Sequence, residues 1–574
     1  MIYPYEHLLE KRRSAFLGTL VVIFMTGVYG CAGQDSYDRS ASAETLAQIN
    51  DLSISVSHFE TTFKEYFYRT GQVLTADSQT RKAILDNEFN TYVLATYAVQ
   101  EGLSDSDQAK LKTEAIRRRV LTEEFNAQVI TKDVHVTEQE LRDYFLRFNT
   151  RIRASHLYAK TQEEIQDLQR RLLAGEGFEQ LAKVTCKHPG LAESGGDLGW
   201  FTTDEMDISF EEAAFSLGVH EMSDPVQTAQ GYSIIKVTDR VEKPLLTEHE
   251  FNQQRERLTS YVQKKKNELR TREHLKSFME SAAVDDTAFN AFWEFWNANK
   301  EAVWAEDPEV IQSVGQNDTV LLTYDDFEFS ARAFYTEYRI SPISQQQSVR
   351  DELTFNGFLM GAAYRAYMLQ EAERRDIHLQ KEVQDSIEET YLHELESMAI
   401  EYLRSTIQNT PAELYTEFMA TSERYAEPLY INLQRVRTEN RTTAEHIHRL
   451  ALSGVEFGKL VQDFTIHGEE RMFNGELGYT SVHEYGIHAS RLASLQEGQI
   501  SDVLPYLSNE FHIYKVLGRE EARQLTFYEA REWVNEVLTE KKLKVLKAKT
   551  IEQVKEQHNA FIDLDKLNAL VIRI

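Results

Sequence analysis

The sequence predicts a multidomain α+β protein in which long helices alternate with short strand-rich modules. The chain has 574 residues, which is too long for a single hydrophobic core, so several domains are expected. Segments with helical periodicity alternate with β-rich blocks. The same order of segments also occurs twice, as in a chain with an internal repeat. A hydrophobic fraction of 42% with only 25 Gly and 9 Pro indicates a folded, helix-rich chain.

The charge of the chain excludes several classes of partner. The formal net charge is −29, and a surface this acidic repels nucleic-acid phosphates before specific contacts form. Neither a glycine-rich nucleotide loop nor a metal or cofactor signature is found. We therefore expect no nucleic acid, no nucleotide, no metal and no cofactor.

The first residues have the layout of a secretory signal. Three basic residues, Lys11 to Arg13, precede an apolar run from Ala15 to Val28 that is shorter than the roughly 20 residues of a membrane span. The run ends in "VYGC", which resembles the bacterial lipobox and implies that Cys31 carries a lipid. We expect residues 1–30 to be the signal peptide and 31–44 a tether. The alternative is an uncleaved short anchor, and both imply export to the envelope.

Residues 45–150 are predicted to form an N-terminal helical arm. Leu85, Phe89, Tyr92 and Val93 fall on one helical face, and Gly102 is expected to end that helix. A second helix covers roughly 106–129. A third begins after Val136, where Thr137 and Glu140 have the spacing of a capping box.

An α+β module is predicted for residues 151–240. "RIRASHLYA" has the pattern of a strand, a helical stretch covers 162–182, and "GYSIIKVTDRV" has the pattern of a closing strand. Residues 241–427 are a helical connector and a second helical arm. The connector is highly charged, so it is either docked on the arms or a solvated link. Residues 428–520 form a second module, and 521–574 a closing helix over 527–557 and a tail.

The internal repeat is carried by four pairs of segments in the same order. The offset between partners grows from 268 to 279 residues, as loop insertions would produce. The paired positions are Phe59 with Phe327, Gln100 with Gln370, Leu141 with Leu414, and Gly196 with Gly475.

The first module resembles the parvulin family of peptidyl-prolyl cis/trans isomerases. The resemblance lies in "GGDLGWFTTDEMDISFEEAAFSL" at 195–217 and "SDPVQTAQGYSIIKV" at 223–237. The helical flanks resemble those of envelope foldases of the SurA, PrsA and PpiD type. The resemblance implies an isomerase and chaperone of the bacterial cell envelope. It would be lipid-anchored, face the periplasm and act on unfolded or nascent exported polypeptides that contain proline.

The resemblance also assigns site residues. It implies that Leu198, Met206 and Phe210 form the slot for the proline ring, although from composition alone these could be ordinary core residues. Thr228 joins them as a substrate-binding residue. The remaining assignments concern polar groups near the slot: His156 as the first of two central family histidines, Ser233 in place of the second, and either Cys186 or His188 as the polar residue at the head of the slot.

The second module is expected to bind or support rather than to catalyse. Tyr485 and Ala489 stand where the slot has Met206 and Phe210, so the aromatic wall is lost. The histidines are exchanged as well, because Arg435 replaces His156 while His512 takes the place of Ser233. The histidines around 446–512 form no HExxH arrangement and no Cys accompanies them, which argues against a metal.

Three functions remain open from the sequence. The first is an isomerase whose arms also hold clients. The second is a catalytically inactive holdase, and the third is an assembly factor for one envelope partner. A cysteine protease is disfavoured, because no Cys-His-Asn signature surrounds Cys186.

Overall fold

A computed structural model describes most of the chain after residue 44. The predicted signal peptide, Cys31 and the tether lie outside the described residues, as do Cys186 and His188. Within the described part, no helix is both long and apolar enough to cross a membrane. The described ranges are 45–70, 77–185, 191–192, 194–228, 230–243, 245–305, 307–465, 470–471, 473–506, 510–570 and residue 572.

Helices dominate the described chain. They are α1 Val56–Thr70, α2 Ser78–Gln100, α3 Asp107–Phe125, α4 Glu138–Phe148, α5 Gln162–Leu173, α6 Phe178–Thr185, α7 Ile208–Ser216, α8 Glu248–Ser281, α9 Asp286–Trp304, α10 Pro308–Gly315, α11 Ala331–Ile340, α12 Ile343–Ser348, α13 Glu352–Arg374, α14 Lys381–Thr406, α15 Pro411–Ala420, α16 Arg441–Leu452, α17 Phe457–Phe464, α18 Ala489–Ala493, α19 Phe527–Gln557 and α20 Leu564–Ala569.

The strands form small antiparallel sheets between the helices, which confirms the predicted α+β class. They are β1 Thr45–Ile49, β2 Leu52–Ser55, β3 Thr150–Ala159, β4 Asp197–Phe201, β5 Val226–Thr228, β6 Gly231–Glu242, β7 Ala283–Val284, β8 Val320–Tyr324, β9 Phe327–Ser330, β10 Ala426–Glu427, β11 Tyr430–Thr438, β12 Glu476–Ser481, β13 Leu504–Tyr506, β14 Glu510–Glu520, β15 Arg523–Gln524 and β16 Phe561–Ile562.

Reciprocal caps begin several of these helices. The capping box predicted at the start of α4 is present, since the Thr137 side chain accepts from the Glu140 amide while the Glu140 carboxylate accepts from the Thr137 amide. The same Thr-x-x-Glu pair begins α5, α8 and α15. A cap of this kind is worth about 1 kcal/mol, so these chain segments enter their helices at defined residues.

The two modules share one topology. The first sheet has the order β4-β3-β6-β5 and the second the order β12-β11-β14-β13. At equivalent places, the His156 amide donates to the Gly196 carbonyl at 2.9 Å and the Arg435 amide to the Gly475 carbonyl at 2.8 Å. A Cβ on either glycine would lie 2.5 Å from the carbonyl oxygen of its neighbour, His156 or Arg435. Both positions therefore need glycine for the same reason.

The helical arms from the two halves contribute to one apolar core. Buried residues of α3, including Ile116, Leu121 and Phe125, join a cluster with residues of α9, α11 and α13 such as Trp296, Phe334 and Phe355. The helix before each module packs on the helix after it. Leu141 and Phe145 of α4 pack with Phe251 and Leu258 of α8, and Leu414 and Phe418 of α15 pack with Ala530 and Val534 of α19.

The chain divides into two compact units. Among the described residues, one contains those from Thr45 to Val93 together with those from Glu552 onward, and the other contains those from Leu94 to Ile551. In the first unit β16, which follows α19, pairs with β1 of the hairpin β1–β2. In the second unit β7, which follows α8, pairs with β8 of the hairpin β8–β9. The strand that closes each half of the repeat thus joins the hairpin that opens the other half.

Candidate functional site

A β-bulge in the edge strand β4 positions Leu198 beside the central strand β3 of the first module. Ala154 of β3 pairs with Gly199 and Ser155 with Asp197, so Leu198 is the extra residue of β4. The Asp197 carboxylate accepts from the Gly199 amide at 2.9 Å and is also held by the Arg153 guanidinium. These contacts fix the bulge, and Leu198 packs against the apolar cluster of the module.

The loop after β4 and the start of α7 bring Met206 and Phe210 to the same cluster. Asp207 caps α7, accepting from the amides of Ser209 at 2.9 Å and Phe210 at 3.4 Å. Phe210 is 4% exposed and meets Phe201 edge to face at 6.0 Å between ring centroids. Met206 is half-buried against the same residues. The three predicted slot residues therefore line one apolar region.

His156 and Ser233 lie beside this region on neighbouring strands. The His156 Nδ1 is 3.4 Å from the Ser233 Oγ, and the imidazole meets the Phe210 ring edge to face at 6.0 Å. Burial lowers the pKa of His156 to about 4, because the charged imidazolium loses its hydration. The imidazole is therefore neutral near pH 7, where it acts through hydrogen bonds rather than charge.

Thr228 lies at the end of the edge strand β5. Its hydroxyl donates to the Gly231 carbonyl at 3.1 Å and accepts from the Gln230 amide at 3.3 Å, so it closes the β5–β6 turn. A role in substrate binding stays a prediction for this residue. The choice between Cys186 and His188 also stays open, because both lie outside the described residues.

Two charged residues near the slot were missed by the sequence analysis. Glu211 of α7 and Lys265 of α8 are 1% and 5% exposed and form an ion pair of 2.6 Å. The signal for Glu211 was a carboxylate inside the apolar segment "FEEAAF". Lys265 gave no such signal, because it is the middle residue of the run "KKK" in a charged helix.

The equivalent region of the second module is occupied by ion pairs. Arg435, at the place of His156, is paired with Glu470, which also accepts from Arg437 at 2.7 Å. His512 is fully buried; its Nδ1 lies 2.9 Å from the Tyr514 hydroxyl, and its ring stacks on Tyr506 at 4.5 Å. Burial lowers the pKa of His512 to about 4.

The apolar part of the second region also differs from the slot. Tyr485 packs edge to face on Tyr514 at 5.8 Å, and Leu477 and Ala489 lie around them. Burial raises the pKa of Tyr485 to about 12, so the phenol stays neutral. A phenol and a methyl group thus stand where the first module has a thioether and a phenyl ring.

Comparison with known proteins relates the first module to one family. Residues 149–239 match the family described as "Rotamase: PPIC-type PPIASE domain". A foldase protein PrsA of Geobacillus sp. (strain WCH70) is 31% identical over 256 residues, which cover 43% of this chain and 87% of the relative. A foldase protein PrsA of Geobacillus kaustophilus is 32% identical over 234 residues, covering 39% and 79%. A crystal structure of the peptidylprolyl isomerase PrsA from Bacillus anthracis is 24% identical, covers 38% of this chain and 83% of that one, and has a TM-score of 0.19.

The sheet, the apolar region beside His156 and the rotamase match define a parvulin-type peptidyl-prolyl isomerase. The relatives indicate to which family of these isomerases the chain belongs. The chain belongs to the PrsA foldase family, and it is an envelope foldase with an isomerase domain. The family match does not extend to the second module, whose parvulin ancestry stays a prediction.

Proposed function

We propose that the first module isomerises X-Pro bonds in exported polypeptides by gripping the proline ring between Leu198, Met206 and Phe210. The observation that carries the proposal is the convergence of these three side chains on one apolar cluster beside His156 and Ser233. Exported, proline-containing chains are the substrates, in keeping with the foldase relatives.

Isomerisation of an X-Pro bond requires no covalent chemistry from the protein. Rotation about an X-Pro bond meets a barrier of about 18–20 kcal/mol that arises from amide resonance, and no covalent bond breaks. An apolar slot favours the twisted amide, because it removes the water that stabilises the planar, dipolar one. Neutral His156 and Ser233 supply hydrogen bonds below the slot, and Cys186 or His188 supplies the polar group at its head. Thr228 positions the peptide at the edge strand.

The second module serves binding or support. The ion pairs of Arg435 and Arg437 with Glu470 occupy the place where the first module has neutral His156. Ala489 gives a proline ring no aromatic wall. We therefore assign turnover to the first module alone.

The location follows from the N-terminal pattern. We propose that Cys31 carries a lipid, that residues 31–44 tether the folded part to the membrane, and that this part faces the periplasm. Mass spectrometry of the membrane-extracted protein tests the proposal. A lipid adduct on Cys31 is expected, and an unmodified Cys31 would contradict it.

An assay on a proline tetrapeptide tests the isomerase. The full chain is expected to accelerate cis-to-trans relaxation, and Phe210→Ala to lower kcat/KM by roughly a hundredfold through loss of the slot wall. Tyr485→Ala makes a matched change in the second module and is expected to leave the rate unaltered. Circular dichroism verifies that each variant is folded. Equal rates for Phe210→Ala and the unaltered chain would contradict the proposal.

Client holding is a second function, in keeping with the foldase relatives. Ile487 and Tyr528, each 86% exposed, are apolar side chains open to contact with an unfolded client. Suppression of aggregation of a reduced, unfolded protein measures holding independently of turnover. A chain that suppresses aggregation but gives no cis/trans acceleration is a holdase, and the isomerase proposal then fails.

A further inference from the structure

A buried ion pair joins the helix after the first module to the slot. The Lys265 ammonium of α8 lies 2.6 Å from the Glu211 carboxylate of α7, and the two side chains are 5% and 2% exposed. Burying either charge alone is costly, so each holds the other in place. The Lys265 Nζ also lies 3.4 Å from the Tyr261 hydroxyl and 3.7 Å from Glu212.

The carboxylate in this pair also holds the loop that carries Met206. The second oxygen of Glu211 accepts from the amide of Glu205 at 2.9 Å and from the amide of Met206 at 3.0 Å. Two backbone donors in the loop therefore depend on one carboxylate oxygen. Since the other oxygen is fixed by Lys265, the position of Met206 depends on α8.

A second contact from α8 fixes the other side of the slot. The Arg272 guanidinium donates to Asp207 at 3.2 Å and to the Ser209 hydroxyl at 3.2 Å. Asp207 is the residue that caps α7 and so sets where Phe210 begins its helical turn. The helix α8 thus holds both ends of the segment between Met206 and Phe210.

Among the described residues of the second module, the buried pair has no counterpart. At the offset of 279 residues that relates Gly196 to Gly475, Ser490 replaces Glu211 and Lys544 replaces Lys265, and both are exposed. Ile551 stands in place of Arg272. The contact is therefore specific to the module with the proline slot, rather than a general feature of how a closing helix packs on a module.

We infer that Glu211 and Lys265 are positioning residues of the isomerase, and that α8 is a working part of its site. The inference rests on the proposed slot. The pair does not touch the substrate; it acts through the Glu205 and Met206 amides, which it holds so that the Met206 side chain faces the proline ring. A catalyst that works by shape depends on such support, because a slot that shifts by a fraction of an ångström grips the twisted amide less well.

The experiment compares neutral pairs in the full chain, so that no variant leaves a buried charge alone. Glu211→Gln with Lys265→Met keeps an acceptor oxygen for the Met206 amide, whereas Glu211→Leu with Lys265→Met removes it. The Gln variant is expected to stay within about threefold of the unaltered kcat/KM, and the Leu variant to lose roughly thirtyfold, mainly through kcat. Lys264→Met, an exposed neighbour on α8, is the matched control.

A spectroscopic readout separates this inference from the slot itself. In chain labelled with carbon-13 at methionine methyls, the Met206 resonance is expected to shift and broaden in the Leu variant alone. If the unaltered chain shows no turnover, the proposed function fails, and the Met206 resonance still decides the positioning. A Leu variant that keeps the unaltered kcat/KM would overturn the inference. If the unaltered chain has no turnover, a Leu variant with an unaltered Met206 resonance would overturn it.

Discussion

At the scale of single residues, the protonation state of His156 depends on its burial in the folded module. The family resemblance assigned His156 as the first of two central histidines, and the structure brings its Nδ1 to 3.4 Å from the Ser233 Oγ. Its neutral state could not be read from the sequence, because burial by the surrounding fold lowers the pKa to about 4. The imidazole is thus a hydrogen-bonding group at the pH of the envelope.

This pKa predicts how the first module responds to acid. Between about pH 6.5 and 4 the unfolded chain binds a proton at His156 that the folded module rejects, so stability falls as the pH is lowered through this window. By pH 5 the loss from His156 is about 2 kcal/mol. Hydrogen exchange of the β3 and β6 amides at pH 7 and 5, corrected for intrinsic exchange, measures it. Between pH 7 and 5, His156→Gln is expected to lose less free energy of unfolding than the unaltered chain. An equal loss in both would contradict the assignment of this pH dependence to His156.

Gly196 has a backbone conformation and a close neighbour that both require glycine. It has φ +83° with a Cβ position 2.5 Å from the His156 carbonyl oxygen. Gly196→Ala is therefore expected to destabilise the first module by about 3 kcal/mol or more, from strain and clash together. Urea unfolding followed by circular dichroism measures the change.

Gly175→Ala is the matched control for this substitution. Gly175 has φ +93°, but nothing lies within 4 Å of its Cβ position. Only the backbone strain remains, so a cost of about 1 kcal/mol is expected. If the two variants were equally stable, close approach to the His156 carbonyl would not be what requires glycine at 196.

At the scale of elements, the helix after the first module, α8, was predicted only in part. The charged segment allowed both a docked helix and a solvated link. The structure docks it, with Phe251, Leu258 and Val262 buried against α4. The apolar residues of this segment indicated in the sequence that the helix could dock. The buried Lys265 could not be predicted, because a lysine between two lysines has the pattern of a solvated face.

Docking predicts a large cost when one apolar contact of α8 is removed. Leu258 is 2% exposed, so Leu258→Ala is expected to destabilise the pairing of α8 with α4 by about 2–5 kcal/mol. Hydrogen exchange of the α8 amides should rise accordingly. Glu256→Ala, at an exposed position of the same helix, is expected to leave exchange unaltered. A solvated helix would respond equally to both changes.

Contacts between the modules were also beyond the sequence. Asp197, which fixes the bulge at Leu198, lies 3.4 Å from the Arg471 guanidinium of the second module. Arg151 of β3 pairs with Glu439. The repeat predicted two modules of one plan, and one topology is found in both. Which faces meet depends on side chains scattered over several loops, and no periodicity marks them.

At the scale of the whole molecule, the repeat does not form two independent halves. Each terminal strand, β16 or β7, pairs with the hairpin that opens the other half. Strands of two residues carry no pattern, so this pairing could not be predicted from the sequence. The length, the composition and the repeat did predict the fold class.

Strand exchange predicts an asymmetric effect of truncation. Ending the chain at His558 removes β16 and α20, which includes the fully buried Leu567. The hairpin β1–β2 then loses its third strand, so its amides are expected to exchange much faster. The hairpin β8–β9 keeps β7 and is expected to stay protected. Equal protection of β1–β2 with and without the last residues would contradict the pairing.

The central claim is that one slot, in the first module only, turns proline peptide bonds. Nuclear magnetic resonance exchange spectroscopy on a proline tetrapeptide mixed with the full chain tests it most directly, because cross peaks between the cis and trans signals report turnover at equilibrium. Cross peaks are predicted with the unaltered chain and with Tyr485→Ala, and their loss with Phe210→Ala. Cross peaks that survive Phe210→Ala, or that vanish with Tyr485→Ala, would contradict the account.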